Sequence, residues 1–113
     1  MAKLELIQGT LDVLVLKALS WGALHGYGIA RFIHRATGDV LQIEEGALYP
    51  ALHRMEERGW VESDWGVSEN NRRAKYYQLT TKGRKALRSE ASTWTRYVKV
   101  VGMLLTLERP EPA

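Results

Sequence analysis

The stretch EGALYPALHRMEERGWVESDW, residues 45–65, changes its hydrophobic period halfway along and thereby decides the fold. In its first part Leu48, Leu52 and Met55 recur at the i, i+4, i+7 spacing of a helix with one buried face. A glycine then ends the helical pattern, and apolar and polar residues alternate as they do in a strand. We therefore predict a helix over residues 46–58 that leads directly into a strand.

A second extended run, Lys75 to Leu79, follows this strand. The polar loop between the two runs carries Asn71, Arg72 and Arg73. Two alternating runs joined by a short polar loop predict a β-hairpin, here with a basic tip.

Two more helices are predicted upstream of this unit. The first follows Thr10, a good N-cap residue, and is apolar over most of its circumference, so it should contact more than one neighbour. The second, from Gly26 to about Thr37, is amphipathic. Three helices followed by a hairpin is the order of a winged helix-turn-helix, whose third helix enters a DNA major groove. We assign residues 1–80 to such a domain, of mainly α (α+β) class.

The last helix begins at Thr80 or Thr81 and is expected to run to about Glu108, before two prolines. At about 1.5 Å per residue it would be roughly 42 Å long, so its far end must leave the core of so small a domain. Trp94, Val98, Val101 and Leu105 recur along it in a heptad-like seam. We assign residues 81–108 to a C-terminal dimerisation helix and residues 109–113 to a tail.

Charge is distributed unevenly along the chain. The net charge is +3, yet residues 72–99 hold nine Lys and Arg against one acidic residue, whereas residues 1–71 hold six against ten. This density attracts polyanions, although a basic helix that only keeps the protein soluble has the same pattern. Because the outer face of the third helix has few cations, we expect Arg72 and Arg73 to enter a minor groove, and Lys75 and Lys82 to hold phosphates.

The residue inventory argues against several other classes of protein. The absence of cysteine excludes disulfides, thiolate zinc sites and thiol nucleophiles. The three histidines lack the spacing of a metal site, and no serine lies in a nucleophile elbow, so we expect neither an enzyme nor a metal or other cofactor. With no signal peptide and no apolar run of about 20 residues, we expect a soluble, cytoplasmic protein without a membrane partner.

Five segments together carry a family resemblance: GTLD at 9–12, GYGIA at 26–30, EGALYPALHRME at 45–56, GW at 59–60 and RRAKYYQLT at 72–80. In this order and spacing they resemble the PadR family of bacterial transcriptional regulators, in its compact branch with a single C-terminal helix. The resemblance implies a homodimeric repressor whose C-terminal helix forms the dimer interface, often packing on the partner's first helix. It also implies that Tyr49 points toward DNA.

These arguments give two sets of candidate residues. His53 and Arg54 join the DNA set because they lie on the outward face of the third helix. The candidate DNA contacts are Tyr49, His53, Arg54, Asn71, Arg72, Arg73, Lys75 and Lys82, and the candidate dimer contacts are Leu11, Leu14, Trp94, Val98, Val101 and Leu105.

The predicted function is a sequence-specific transcriptional regulator, a repressor that binds a pseudo-palindromic operator in double-stranded DNA as a homodimer. The alternative is a winged-helix module for protein or RNA contact without operator specificity. Trp94 is in addition a candidate effector-binding residue, because the resemblance extends to members that sense planar aromatic molecules near this interface. The competing interpretation of Trp94 is a plain interface-core tryptophan.

Overall fold

The computed structural model describes Leu4, residues 6–7 and residues 9–109. The helices are α1 (Leu11–Ala18, continued by a 3-10 turn, Leu19–Trp21), α2 (Gly26–Ala36), α3 (Glu45–Glu57) and α4 (Thr81–Leu105), and the strands are β1 (Leu24–His25), β2 (Val61–Val67) and β3 (Arg73–Leu79). The strands form one antiparallel sheet in the order β1-β3-β2. This confirms the mainly helical winged helix-turn-helix class with a long C-terminal helix. All of the predicted tail after Arg109 lies outside the described residues.

The sheet differs from the predicted hairpin in two ways. A third strand, β1, pairs through Leu24 with Tyr77 and through His25 with Tyr76. Two residues are too few to show an alternating pattern, so this strand has no signal in the sequence. The hairpin strands are also longer than expected, and the loop between them spans only residues 68–72. We call β2, β3 and this loop the wing.

The helix starts depend on side chains in different ways. Thr10 is the N-cap of α1, as predicted, but its hydroxyl donates to the Ile7 carbonyl at 2.6 Å instead of accepting from the helix. Thr80 caps α4 as expected, accepting from the Gly83 amide at 3.0 Å. The helix α4 ends at Leu105, three residues before the predicted end.

The core lies between α1, α2, α3 and the inner face of the sheet. Leu48, Leu52 and Met55, which the helical spacing predicted to be buried, are at most 1% exposed. They pack with apolar side chains of the other elements, among them Val15, Leu16, Leu19, Ile29, Ile33, Val61, Tyr77 and Leu79. This packing fixes α3 against the sheet and leaves its opposite face toward solvent.

The helix α4 is attached to the wing by a single residue. Thr80 separates β3 from α4; its hydroxyl donates to the Gly59 carbonyl at 2.6 Å and its amide to the Trp60 carbonyl at 3.0 Å. The first part of α4 packs on α1, whereas its far end carries exposed apolar residues, Val98 at 62% and Leu105 at 77%. The molecule is therefore elongated, with extents of 62 × 32 × 22 Å.

The start of α4 fits so closely that we expect Gly83→Ala to destabilise the fold. A Cβ at Gly83 would overlap the Trp60 carbonyl oxygen, which is backbone and cannot move aside alone. Overpacking together with a lost hydrogen bond should lower the free energy of unfolding by about 2–4 kcal/mol. Urea unfolding at fixed protein concentration measures this. Gly46→Ala is the control, because a Cβ there meets nothing within 4 Å, and an equal loss in both variants would contradict the prediction.

Candidate nucleic-acid interface

A cleft of about 500 Å³ opens between the wing and the N-terminal ends of α2 and α3. We call it the wing cleft. It combines aromatic rings with three cationic side chains, and one wall belongs to the helix that sequence analysis assigns to the DNA major groove. The lining residues are His25, Gly26, Tyr27, Tyr49, Trp65, Ser68, Glu69, Asn70, Arg72, Arg73, Ala74, Lys75 and Tyr77.

Tyr49 reaches the cleft from the first half of α3. Its side chain rests on the first turn of α2, where a Cβ on Gly26 would lie only 2.6 Å from the tyrosine hydroxyl oxygen. Gly26 is therefore the residue that lets the two helices approach. Tyr49 remains 46% exposed, so its outer edge is available to a ligand in the cleft.

His25 ties the wing loop to the start of α2. Its Nδ1 accepts a hydrogen bond from the Gly28 amide at 2.9 Å, so His25 is the N-cap of α2, and its Nε2 lies 3.6 Å from Oε2 of Glu69. Accepting at Nδ1 leaves the proton of the neutral ring on Nε2, facing that carboxylate. Backbone hydrogen bonding, aided by His25, holds the pKa of Glu69 below its usual value. Glu69 is therefore ionised at neutral pH.

The cations of the wing are held in different ways. The Arg73 guanidinium lies over the Trp65 ring, 4.6 Å from its centroid. The Lys75 ammonium lies 3.7 Å from a Glu56 carboxylate oxygen, so part of its charge is already neutralised. Within the described chain no carboxylate comes within 4.0 Å of Arg72 or Arg73. These two arginines supply most of the free positive charge of the cleft.

Half of the predicted DNA contacts lie outside the cleft. Arg54 turns toward α1, with its Nη2 at 3.2 Å from an Asp12 oxygen, so part of its charge is already neutralised. His53 pairs along α3 with Glu57 at 3.1 Å. The cleft-lining members of the set are Tyr49, Arg72, Arg73 and Lys75, and the others are His53, Arg54, Asn71 and Lys82.

The adjacent tyrosines of β3 point to opposite faces of the sheet. Alternation along a strand predicts that one of them lies in the core and the other beside the basic surface. Tyr77 is the core residue, 6% exposed, and burial raises its pKa, so it stays neutral on the floor of the cleft. Tyr76 lies instead on the far face, where it packs on His25 with ring centroids 5.2 Å apart. The expectation for Tyr76 was therefore wrong, because Arg73 and Lys75 lie on the opposite face of β3.

Trp65 and His25 belong to the site but are not among the residues predicted for it. Trp65 had a usable signal, since it shares the face of Val61 on an alternating strand and extends that face beyond the core. Nothing in the sequence indicates the role of His25, because that role depends on the wing loop folding back onto the N-terminus of α2.

The predicted dimer contacts are found on α1 and along α4. Leu11, Leu14, Trp94 and Val101 are half-buried within the single chain, whereas Val98 and Leu105 are exposed. The Trp94 ring meets Tyr97 edge-on, with centroids 5.7 Å apart. These positions are compatible with an interface, and the role of each residue stays a prediction.

The residues that the structure describes contain neither a metal-binding cluster nor a membrane-spanning helix. No group of three or more histidine, aspartate or glutamate side chains there could hold a metal ion. No helix in the same part of the chain is both long and apolar enough to cross a membrane.

Known proteins match most of this chain. The profile described as "Transcriptional regulator PadR-like family" matches residues 15–89. A transcriptional regulator from Clostridium thermocellum is 31% identical with a TM-score of 0.76, over 85% of this chain and 90% of that one. A PadR family transcription regulator from Clostridium difficile is 30% identical with a TM-score of 0.72, over 86% and 99%. An uncharacterised protein of Lysinibacillus sphaericus is 26% identical over 93% of this chain and 96% of its own.

Proposed function

The chain belongs to the PadR-like family of transcriptional regulators, and from that premise we propose that it is a repressor that binds a pseudo-palindromic operator as a homodimer. Proteins of this family are transcriptional regulators and not enzymes, which confirms the expectation that the chain is not an enzyme. The observation that carries the proposal is the wing cleft, where Arg72 and Arg73 lie beside the first half of α3 without a carboxylate partner in the described chain.

The proposed contacts divide between the two grooves of DNA. The exposed face of α3 enters the major groove, with Tyr49 against the backbone and His53 farther along the helix. Arg72 and Arg73 enter the neighbouring minor groove, where the negative potential is strongest when the groove is narrow. Asn71, Lys75 and Lys82 are proposed phosphate contacts. Arg54 must release Asp12 before it can reach DNA, so we expect it to contribute less.

The proposed dimer uses the far half of α4. The exposed apolar side chains of this helix, which include Tyr97, Val98, Val100, Leu104 and Leu105, form a band that water would otherwise solvate. A second copy of the chain is the proposed occupant, and it can cover α1 and α4 together through Leu11, Leu14 and the α4 seam. An aromatic effector bound beside Trp94 would lie at this interface and would change the distance between the two wings.

Operator selection tests the proposal. Duplexes chosen from a random library should contain an inverted repeat whose half-sites are roughly 34 Å apart, or a multiple of that distance, and footprinting should protect both halves. The control is the same duplex with one half-site scrambled, which should bind more weakly. Protection of one unrepeated half-site would contradict the twofold geometry. Equal binding to scrambled duplexes and to RNA would favour the alternative of an interaction module without operator specificity.

A further inference from the structure

Trp65 is a large aromatic residue on the solvent side of the wing. It lies on the same face of β2 as the buried Val61, yet it is 56% exposed, because the hairpin extends beyond the core at this point. Its partner in the register of the sheet is Lys75, and both residues line the wing cleft. The indole therefore faces the space that the proposed function assigns to DNA.

The partner of Trp65 is the guanidinium of Arg73. The 4.6 Å between the guanidinium carbon and the ring centroid is within the range in which a cation is attracted to the face of an aromatic ring. No carboxylate of the described residues comes within 4.0 Å of Arg73, so the indole is the partner that the structure shows for its charge.

Such a contact matters for a residue that enters a groove. A free arginine samples many rotamers and loses that freedom when it binds, which weakens the net affinity. A guanidinium already held flat against a ring loses less. It also approaches the DNA from one direction, so its affinity for the groove depends more strongly on the width of that groove.

We propose that Trp65 is the positioning residue for Arg73, and that this pair sets the preference of the wing for a narrow, A·T-rich minor groove. The inference rests on the proposed DNA-binding function. It assigns Trp65 an action through Arg73, which is separate from a role in stabilising the hairpin.

A double-mutant cycle on the full-length protein tests the pair. The probe is a selected operator duplex, in one version with A·T pairs and in another with G·C pairs where the wing contacts it. Trp65→Leu should weaken binding of the A·T version about tenfold, because the unrestrained Arg73 of each subunit then loses more rotamer freedom on binding, and should reduce the preference for that version. Trp65→Phe retains an aromatic face. It should therefore restore most of the affinity and most of the preference for the A·T version. In the Arg73→Ala background Trp65→Leu should have no further effect.

Two further measurements separate positioning from other roles. Trp65→Leu removes no charge, so the salt dependence of binding should stay that of the wild type, whereas Arg73→Ala should flatten it. Trp21→Leu is the matched control, since Trp21 is 68% exposed and has the Lys17 ammonium 4.6 Å from its ring centroid, but does not line the cleft. It should leave the affinity unchanged.

The proposal and the function on which it rests fail in different ways. Wild-type protein that binds no duplex overturns the proposed function itself. Wild-type protein that binds, with Trp65→Leu binding equally well, overturns only the role of Trp65. An equal loss from Trp65→Leu in the wild-type and Arg73→Ala backgrounds also overturns positioning, because Trp65 would then act independently of Arg73. Circular dichroism of each variant confirms that the fold is retained.

Discussion

Replacing Val98 and Val101 with aspartate should convert the protein from dimer to monomer. Val98 is 62% exposed in the single chain and Val101 is half-buried, and both lie on the α4 seam proposed to meet the partner. Two unpaired carboxylates in an apolar interface would cost several kcal/mol in each subunit, which corresponds to a loss of at least a hundredfold in dimer affinity. Analytical ultracentrifugation across micromolar concentrations measures the change.

The control adds the same charges away from the seam. Ser92→Asp with Thr95→Asp places two aspartates three residues apart on exposed positions of the same helix, turned about 150° and about 90° from the mean direction of the seam at 3.6 residues per turn. This variant should remain dimeric and bind the operator. A wild type that sediments as a monomer, or equal dissociation of both variants, would remove the basis for the α4 interface.

Removing the two free cations of the wing should have the second large effect. If Arg72, Arg73 and Lys75 each neutralise one phosphate in both subunits, about six counterions are released, and log K should fall with log salt at a slope near −5. Arg72→Ala with Arg73→Ala removes four of these contacts per dimer. The slope should then flatten by three to four, with affinity reduced most at low salt. Binding isotherms between about 50 and 200 mM salt give the slope.

A second pair of cations controls for net charge. Arg96→Ala with Lys99→Ala removes the same charge from exposed positions farther along α4, away from the wing cleft. Its slope should match that of the wild type. If both double variants flatten the slope equally, the protein would be acting as a general positive surface, and the DNA footprint could not be assigned to the wing.

Residues with a repeating pattern could be predicted from the sequence. The spacing of Leu48, Leu52 and Met55 identified the buried face of α3, and alternation after Gly59 identified the hairpin. Both follow from local periods that a core enforces along many residues. Contacts between distant segments could not be predicted in this way. The contact of His25 with Glu69, the pairing of β1 with β3 and the turn of Arg54 toward Asp12 depend on which segments meet after folding.

The same distinction, between local patterns and contacts formed on folding, applies to the candidate site. The basic residues Arg72, Arg73 and Lys75 were predicted from charge density and do line the wing cleft. The difference between these cations was not predictable. Glu56 lies beside Lys75 only once α3 and the wing pack together, and Trp65 lies under Arg73 only once the two strands of the wing pair. Composition thus identifies the cations, and tertiary contacts decide which of them are free.

In the proposed dimer, the single-residue joint at Thr80 would let α4 transmit its orientation to the DNA-binding surface. Because Thr80 is bonded to the carbonyls of Gly59 and Trp60, α4 cannot swing without carrying the wing and the end of α3 with it. The 25 residues of α4 make an arm about 37 Å long at 1.5 Å per residue. A rotation of about 5° at its far end moves the near end by about 3 Å, close to the roughly 3.4 Å rise of one base pair. In a dimer held at that far end, the angle between the two α4 helices would determine the distance between the half-sites that the protein can bind.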